Sequence, residues 1–117
     1  MDLTSLAFYV GTYEENPDAS IFLCRLDAER GSMEVVDRLA GGVTPSFLAL
    51  HPNGAFLYAV NELSAFQGQP TGGVAAFAIE SATGRLAPLN QQASHGKAPC
   101  HLVTDRRATH VLAANYH

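Results

Sequence analysis

The sequence has 117 residues, 47% of them hydrophobic and 15% charged, which calls for a packed core and excludes a disordered chain. Its net charge is −4, and the seven basic residues are scattered from Arg25 to Arg107, so nucleic-acid binding lacks an electrostatic driving force. Cys24 and Cys100 show no paired metal or redox spacing and are expected to be buried apolar thiols in a reducing compartment. Met1 is followed by Asp2 with no basic leader, and no apolar run approaches the length of a membrane span. A cytoplasmic, soluble protein with no membrane partner is expected.

In chain order, strands are predicted at 7–12, 20–26, 33–39, 46–50, 55–60, 72–79, 85–92, 100–104 and 109–115. Each is short and apolar, and several are rich in β-branched or aromatic residues. Pro88 marks 85–92 as an edge strand. Turn chemistry separates the runs: "DAERGS" at 27–32, "HPNG" at 51–54 and "SATGR" at 81–85 each supply a glycine where a hairpin needs positive φ. No stretch of ten residues holds a helical period, so the fold class is all-β.

The chain repeats itself. Shifted by 54, "PSFLALHPNGAFLYAVNE" falls on "PCHLVTDRRATHVLAANY", so that Pro45 meets Pro99, Leu48 meets Leu102 and Asn61 meets Asn115. Shifted by 53, "IFLCRLDAERGSM" falls on "VAAFAIESATGRL". A period near 50 with four strands per unit is the signature of a β-propeller. Residues 45–92 make one complete blade, residues 1–44 a first blade lacking its innermost strand, and residues 93–117 the start of a third. About two and a half blades cannot close a ring of the usual four to eight, so the chain is expected to continue past His117.

"FYVGTY", "PSFLALHPNGAFLYAVNEL", "GGVAAFAIESATGRLAPLN" and "APCHLVTD…VLAANYH" resemble the N-terminal third of the β-propeller lactonases. That group includes bacterial propeller-type 6-phosphogluconolactonases and the fungal carboxymuconate-lactonizing enzyme. The resemblance implies a seven-bladed propeller. One departure stands out: the second inner hairpin reads "DRRA", with Ala108 where the family's turn carries glycine.

Candidate site residues follow from the hairpins. With Leu50 pairing near Ala55 and Pro45 near Val60, Asn61 and Glu62 project just past the start of the innermost strand, at one mouth of the channel. The same count in the next unit brings Cys100 and His101 beside Asn115, with Tyr116 and His117 just beyond. The loop "ASHGKAP" carries His95 and Lys97 to the same mouth. Glu62 and His101 are the catalytic candidates; Asn61, Asn115, Tyr116, His117 and Lys97 are the substrate-binding candidates. Each has a plainer reading. Asn61 and Asn115 recur at equivalent places, and an Asn at a strand end ordinarily bonds its own loop. Glu62 could be a solvated loop residue, His101 a packed core histidine and Lys97 a solubilising charge. His51 and His110 fall at the opposite hairpin end and read as turn residues.

No G-x-S-x-G elbow, phosphate-binding P-loop or H-E-x-x-H motif is present, and no metal or cofactor is expected. What the resemblance implies is hydrolysis of an anionic sugar lactone, foremost 6-phosphogluconolactone in the oxidative pentose phosphate route. A carboxymuconate-type cyclase and a non-catalytic binding platform are the alternatives. Hydrolysis would use Glu62 or His101 as base, with Asn61 or Asn115 as hydrogen-bond donors.

Overall fold

The runs of apolar residues all become strands, with ends within two residues of those expected. The structure is a computed structural model and describes residues 5–117; the leader-peptide reading falls on Met1 and Asp2, outside the described residues. The elements are β1 (Ser5–Val10), β2 (Ile21–Asp27), β3 (Ser32–Leu39), β4 (Leu48–Leu50), β5 (Phe56–Asn61), β6 (Gly73–Ile79), β7 (Leu86–Ala93), β8 (Pro99–Thr104) and β9 (Val111–Asn115). No helix occurs among the described residues, and hence none long and apolar enough to cross a membrane.

Among the described residues three antiparallel sheets form, ordered β1-β2-β3, β4-β5-β6-β7 and β8-β9. Pro88 sits on the edge strand β7, at the bulge where the β6 register slips between Ala76 and Phe77, so its missing N–H costs no ladder hydrogen bond. The middle sheet is covered on both faces, and β5 is buried almost throughout for that reason. Its odd-numbered side chains Leu57 and Ala59 join Ala75 and Phe77 of β6 against Ile21, Leu23 and Leu39 of the first sheet. Tyr9 extends the same seam, donating its hydroxyl to the Gly84 carbonyl, and its partial burial raises the phenol's pKa. Asp37 and Arg85 close the outer rim at 3.3 Å.

The hairpin register differs from expectation. Leu50 pairs with Leu57 and Leu48 with Ala59, two residues further along β5 than predicted. The turn is wider because its own polar groups satisfy it: Asn53 Oδ1 accepts from the Ala55 N–H (2.8 Å), and the His51 ring accepts from the Asn53 N–H (3.1 Å). Ala108 is a second finding. It adopts φ 55°, matching Gly54 at φ 73°, so the "DRRA" hairpin keeps the turn geometry and places an alanine in the left-handed region. A third concerns the thiols: both are free, but only Cys24 is buried, while Cys100 is exposed beside the Ala114 carbonyl. The register slip between Pro99 and His101 leaves Cys100 as the bulged residue of β8, so it does not share the buried side of Leu102.

Candidate functional site

Strand pairing first decides which polar groups can meet a ligand. Beyond β5, Glu62 pairs back on Thr44, its N–H donating to the Thr44 carbonyl at 3.1 Å. In the next sheet the Tyr116 N–H donates to the Ala98 carbonyl at 3.0 Å, the equivalent bond one repeat later. Both ends open at the same mouth. The loop between β7 and β8 ties them together: the Ala98 N–H reaches the Leu63 carbonyl (2.9 Å), and the Gly72 N–H reaches that of Gly96 (2.7 Å). Gly72 is required there, because a Cβ would collide with the Pro99 ring.

Asn61 and Glu62 point to opposite faces of the sheet. Asn61 is 1% exposed. Its amide donates to the Val43 carbonyl (2.9 Å), and its oxygen accepts from the Gln91 side chain (3.2 Å). This corrects its expected substrate-binding role: a ligand cannot reach a buried amide whose groups are already engaged. Glu62 is half-buried, and Oε1 accepts the Ser46 hydroxyl at 3.0 Å. Among the described residues no basic side chain pairs with it.

His101 sits on β8, the inner strand of its sheet, with its ring centroid 4.4 Å from that of Phe47. These are the equivalent positions of two successive repeats. The imidazole is exposed, and among the described residues no hydrogen bond engages it, so both ring nitrogens are free for a ligand. Phe47 follows Ser46 in the chain. The carboxylate and the imidazole therefore contact consecutive residues of the segment leading into β4.

Of the other candidates, Lys97 and His117 form a doubly hydrogen-bonded pair, N–H to carbonyl in both directions at 3.0 and 3.1 Å. Residues so paired project their side chains to the same side of a ladder. Both side chains are exposed, and Tyr116 stands edge-on to the His117 ring. Asn115 donates its amide to the Ser94 carbonyl at 2.9 Å but remains exposed. His51 and His110 lie in the opposite turns, as expected. Ser46 was not among the expected site residues. The signal was the repeat itself, which sets Ser46 and Thr44 over Cys100 and Ala98 beside the unrepeated Glu62.

A cavity of about 430 Å³ lies elsewhere, between the middle and last sheets, lined by Tyr58, Val74, Ala76, Asn90, Val111 and Ala113. Gln92, Ser94 and His95 line it as well, so it reaches the β7–β8 loop, but neither Glu62 nor His101 lines it. No group of three or more His, Cys, Asp or Glu side chains placed to hold a metal occurs among the described residues.

Comparison with known proteins agrees with this architecture. The family model described as "Lactonase, 7-bladed beta-propeller" matches residues 7–117. A 6-phosphogluconolactonase of Bacillus subtilis is 35% identical over 98% of this chain and 32% of its own length. A Bacteroides fragilis protein whose crystal structure is assigned to a 6-phosphogluconolactonase superposes with a TM-score of 0.83 at 32% identity, over 97% of this chain and 30% of its own. The periplasmic gluconolactonase of Pseudomonas aeruginosa gives a TM-score of 0.83 at 26% identity, over 96% of this chain and 31% of its own. The chain thus spans about a third of the length of these relatives.

Proposed function

This chain belongs to the seven-bladed β-propeller lactonase family, and from that premise we propose that it supplies one wall of an active site hydrolysing a sugar lactone, foremost 6-phosphogluconolactone. The three sheets then correspond to a first blade within residues 1–44, a complete blade at 45–92 and the start of a third at 93–117. The supporting observation is that Glu62, with no basic partner among the described residues, and the exposed His101 contact the consecutive residues Ser46 and Phe47. The names of the relatives point the same way.

The chemistry divides among these residues. Glu62 takes a proton from water as the water oxygen bonds to the lactone carbonyl carbon. The carbonyl oxygen becomes an oxyanion, for which the Tyr116 hydroxyl and the Asn115 amide are the donors at hand. Collapse breaks the bond from the carbonyl carbon to the ring oxygen. That oxygen leaves as a hydroxyl, taking a proton from His101 or the newly protonated Glu62, and the product is the open-chain sugar acid. Lys97 and His117, side by side, suit the phosphate end of the substrate. The step belongs to the oxidative pentose phosphate route, and the free thiols Cys24 and Cys100 favour the cytoplasm.

The test uses a seven-bladed protein carrying these residues. Glu62→Gln and His101→Ala are each expected to lower kcat/KM for 6-phosphogluconolactone by about 10²-fold or more, the scale of a lost acid–base group. His51→Ala, in the opposite turn, should hydrolyse at the parent rate. Parent rates for all three variants would refute the site. A parent protein that binds the lactone without opening it would replace hydrolysis with a binding role.

A further inference from the structure

Successive repeats provide an internal control. Two backbone features around Glu62 recur around Tyr116, but the side chains that grip the residue do not. Thr44 and Ala98 are both left-handed, at φ 47° and 54°, each immediately before a proline. That conformation is disfavoured twice over, because positive φ crowds a Cβ and a following proline pushes its neighbour toward extended backbone. In both repeats the strained carbonyl accepts the N–H of the residue beyond the next strand, Glu62 or Tyr116.

There the likeness ends. The Thr44 hydroxyl also donates to the Glu62 carbonyl (3.2 Å), and the Ser46 hydroxyl donates to its carboxylate (3.0 Å). The Thr44 carbonyl further accepts the Ser46 N–H at 2.9 Å, which sets the serine in place. In the next repeat Ala98 has no hydroxyl, and Cys100 turns its thiol to the Ala114 carbonyl. The shared backbone serves the fold; the two hydroxyls serve Glu62 alone.

We infer that Thr44 and Ser46 are positioning residues for Glu62, holding its main chain and one carboxylate oxygen so that the other oxygen faces the channel and the attacking water. This rests on the reading of Glu62 as the base. Ser46 does not touch substrate. It removes the rotational freedom that a half-buried glutamate would otherwise keep, leaving one acceptor fixed near the reacting atoms.

Ser46→Cys tests the inference without threatening the fold, since cysteine already occupies the equivalent place at Cys100 and its thiol is a poor donor. In a seven-bladed protein carrying these residues, with 6-phosphogluconolactone as substrate, Ser46→Cys is expected to lower kcat by about 10-fold or more with KM nearly unchanged. Ser46→Thr, which keeps the hydroxyl, should restore most of the rate. In the Glu62→Gln background Ser46→Cys should add no further loss. Parent kcat in Ser46→Cys beside a slow Glu62→Gln would overturn the positioning role and leave Glu62 as base. A further tenfold loss in the Glu62→Gln background would overturn it too, by showing that Ser46 acts independently. Parent rate in Glu62→Gln would sink both readings together.

Discussion

At Ala108 the repeat forces an alanine into a glycine's conformation. The loop is held from outside by Asp105, whose carboxylate accepts the Thr109 N–H at 2.8 Å and the His110 N–H at 3.0 Å. The His110 N–H above all keeps that carboxyl below the ordinary range. Its support is therefore present at neutral pH and lost as acidification protonates it. A left-handed non-glycine residue costs roughly 1–2 kcal/mol, of which glycine's greater chain entropy cancels about 0.5–1 kcal/mol. Ala108→Gly should thus stabilise by up to about 1 kcal/mol. Denaturant titration of two seven-bladed proteins differing only here checks it; a lower midpoint for the glycine variant would mean that Asp105 already relieves the strain.

At the scale of elements, Asn61 joins the end of β5 to the loop after β3. Its amide donates to the Val43 carbonyl and its oxygen accepts from Gln91 on β7, so one side chain fastens the β3–β4 connection to two strands of the middle sheet. Asn61→Ala would leave the partly buried Val43 carbonyl without this partner and should destabilise by about 1–2 kcal/mol. Faster amide exchange in β5 and β7 would accompany it, and an unchanged unfolding midpoint would contradict it. The repeat makes this role legible in the sequence, because an asparagine recurring at Asn115 speaks for architecture. Strand order is legible too, from apolar runs and glycine turns. The register is not: whether "HPNG" closes tightly or opens by two residues depends on the His51 and Asn53 side chains bonding the turn, which strand alternation does not report. The clamp on Glu62 is hidden for a similar reason. Ser46 reaches the carboxylate only because the backbone at Thr44 turns left-handed, a conformation that neither threonine nor a following proline advertises.

For the whole molecule, one buried cluster joins the first two sheets, with gaps beside it and open edges at the flanks. Its radius of gyration is 14.6 Å, against about 13 Å for a compact domain of this length. Among the described residues β1 has β2 on one edge and no strand on the other, and β9 pairs only with β8. Leu112 is 54% exposed on that open strand, and Leu50 is 55% exposed near the other flank. Between β1 and β4 the residues Ala7, Phe8, Tyr9, Leu48 and Leu57 line a further gap of about 390 Å³. Unpaired strand edges beside exposed apolar side chains are templates for pairing with another chain. The 117-residue chain expressed alone should therefore self-associate, its sedimentation and its unfolding midpoint both varying with protein concentration. A monomer with one sharp, reversible, concentration-independent transition would show that the flanks are stable unpaired. If association does occur, charges introduced by Leu112→Lys should weaken it while leaving the β4–β7 sheet folded, because that sheet's own core of Leu57, Ala59, Ala75 and Phe77 lies away from the open edge.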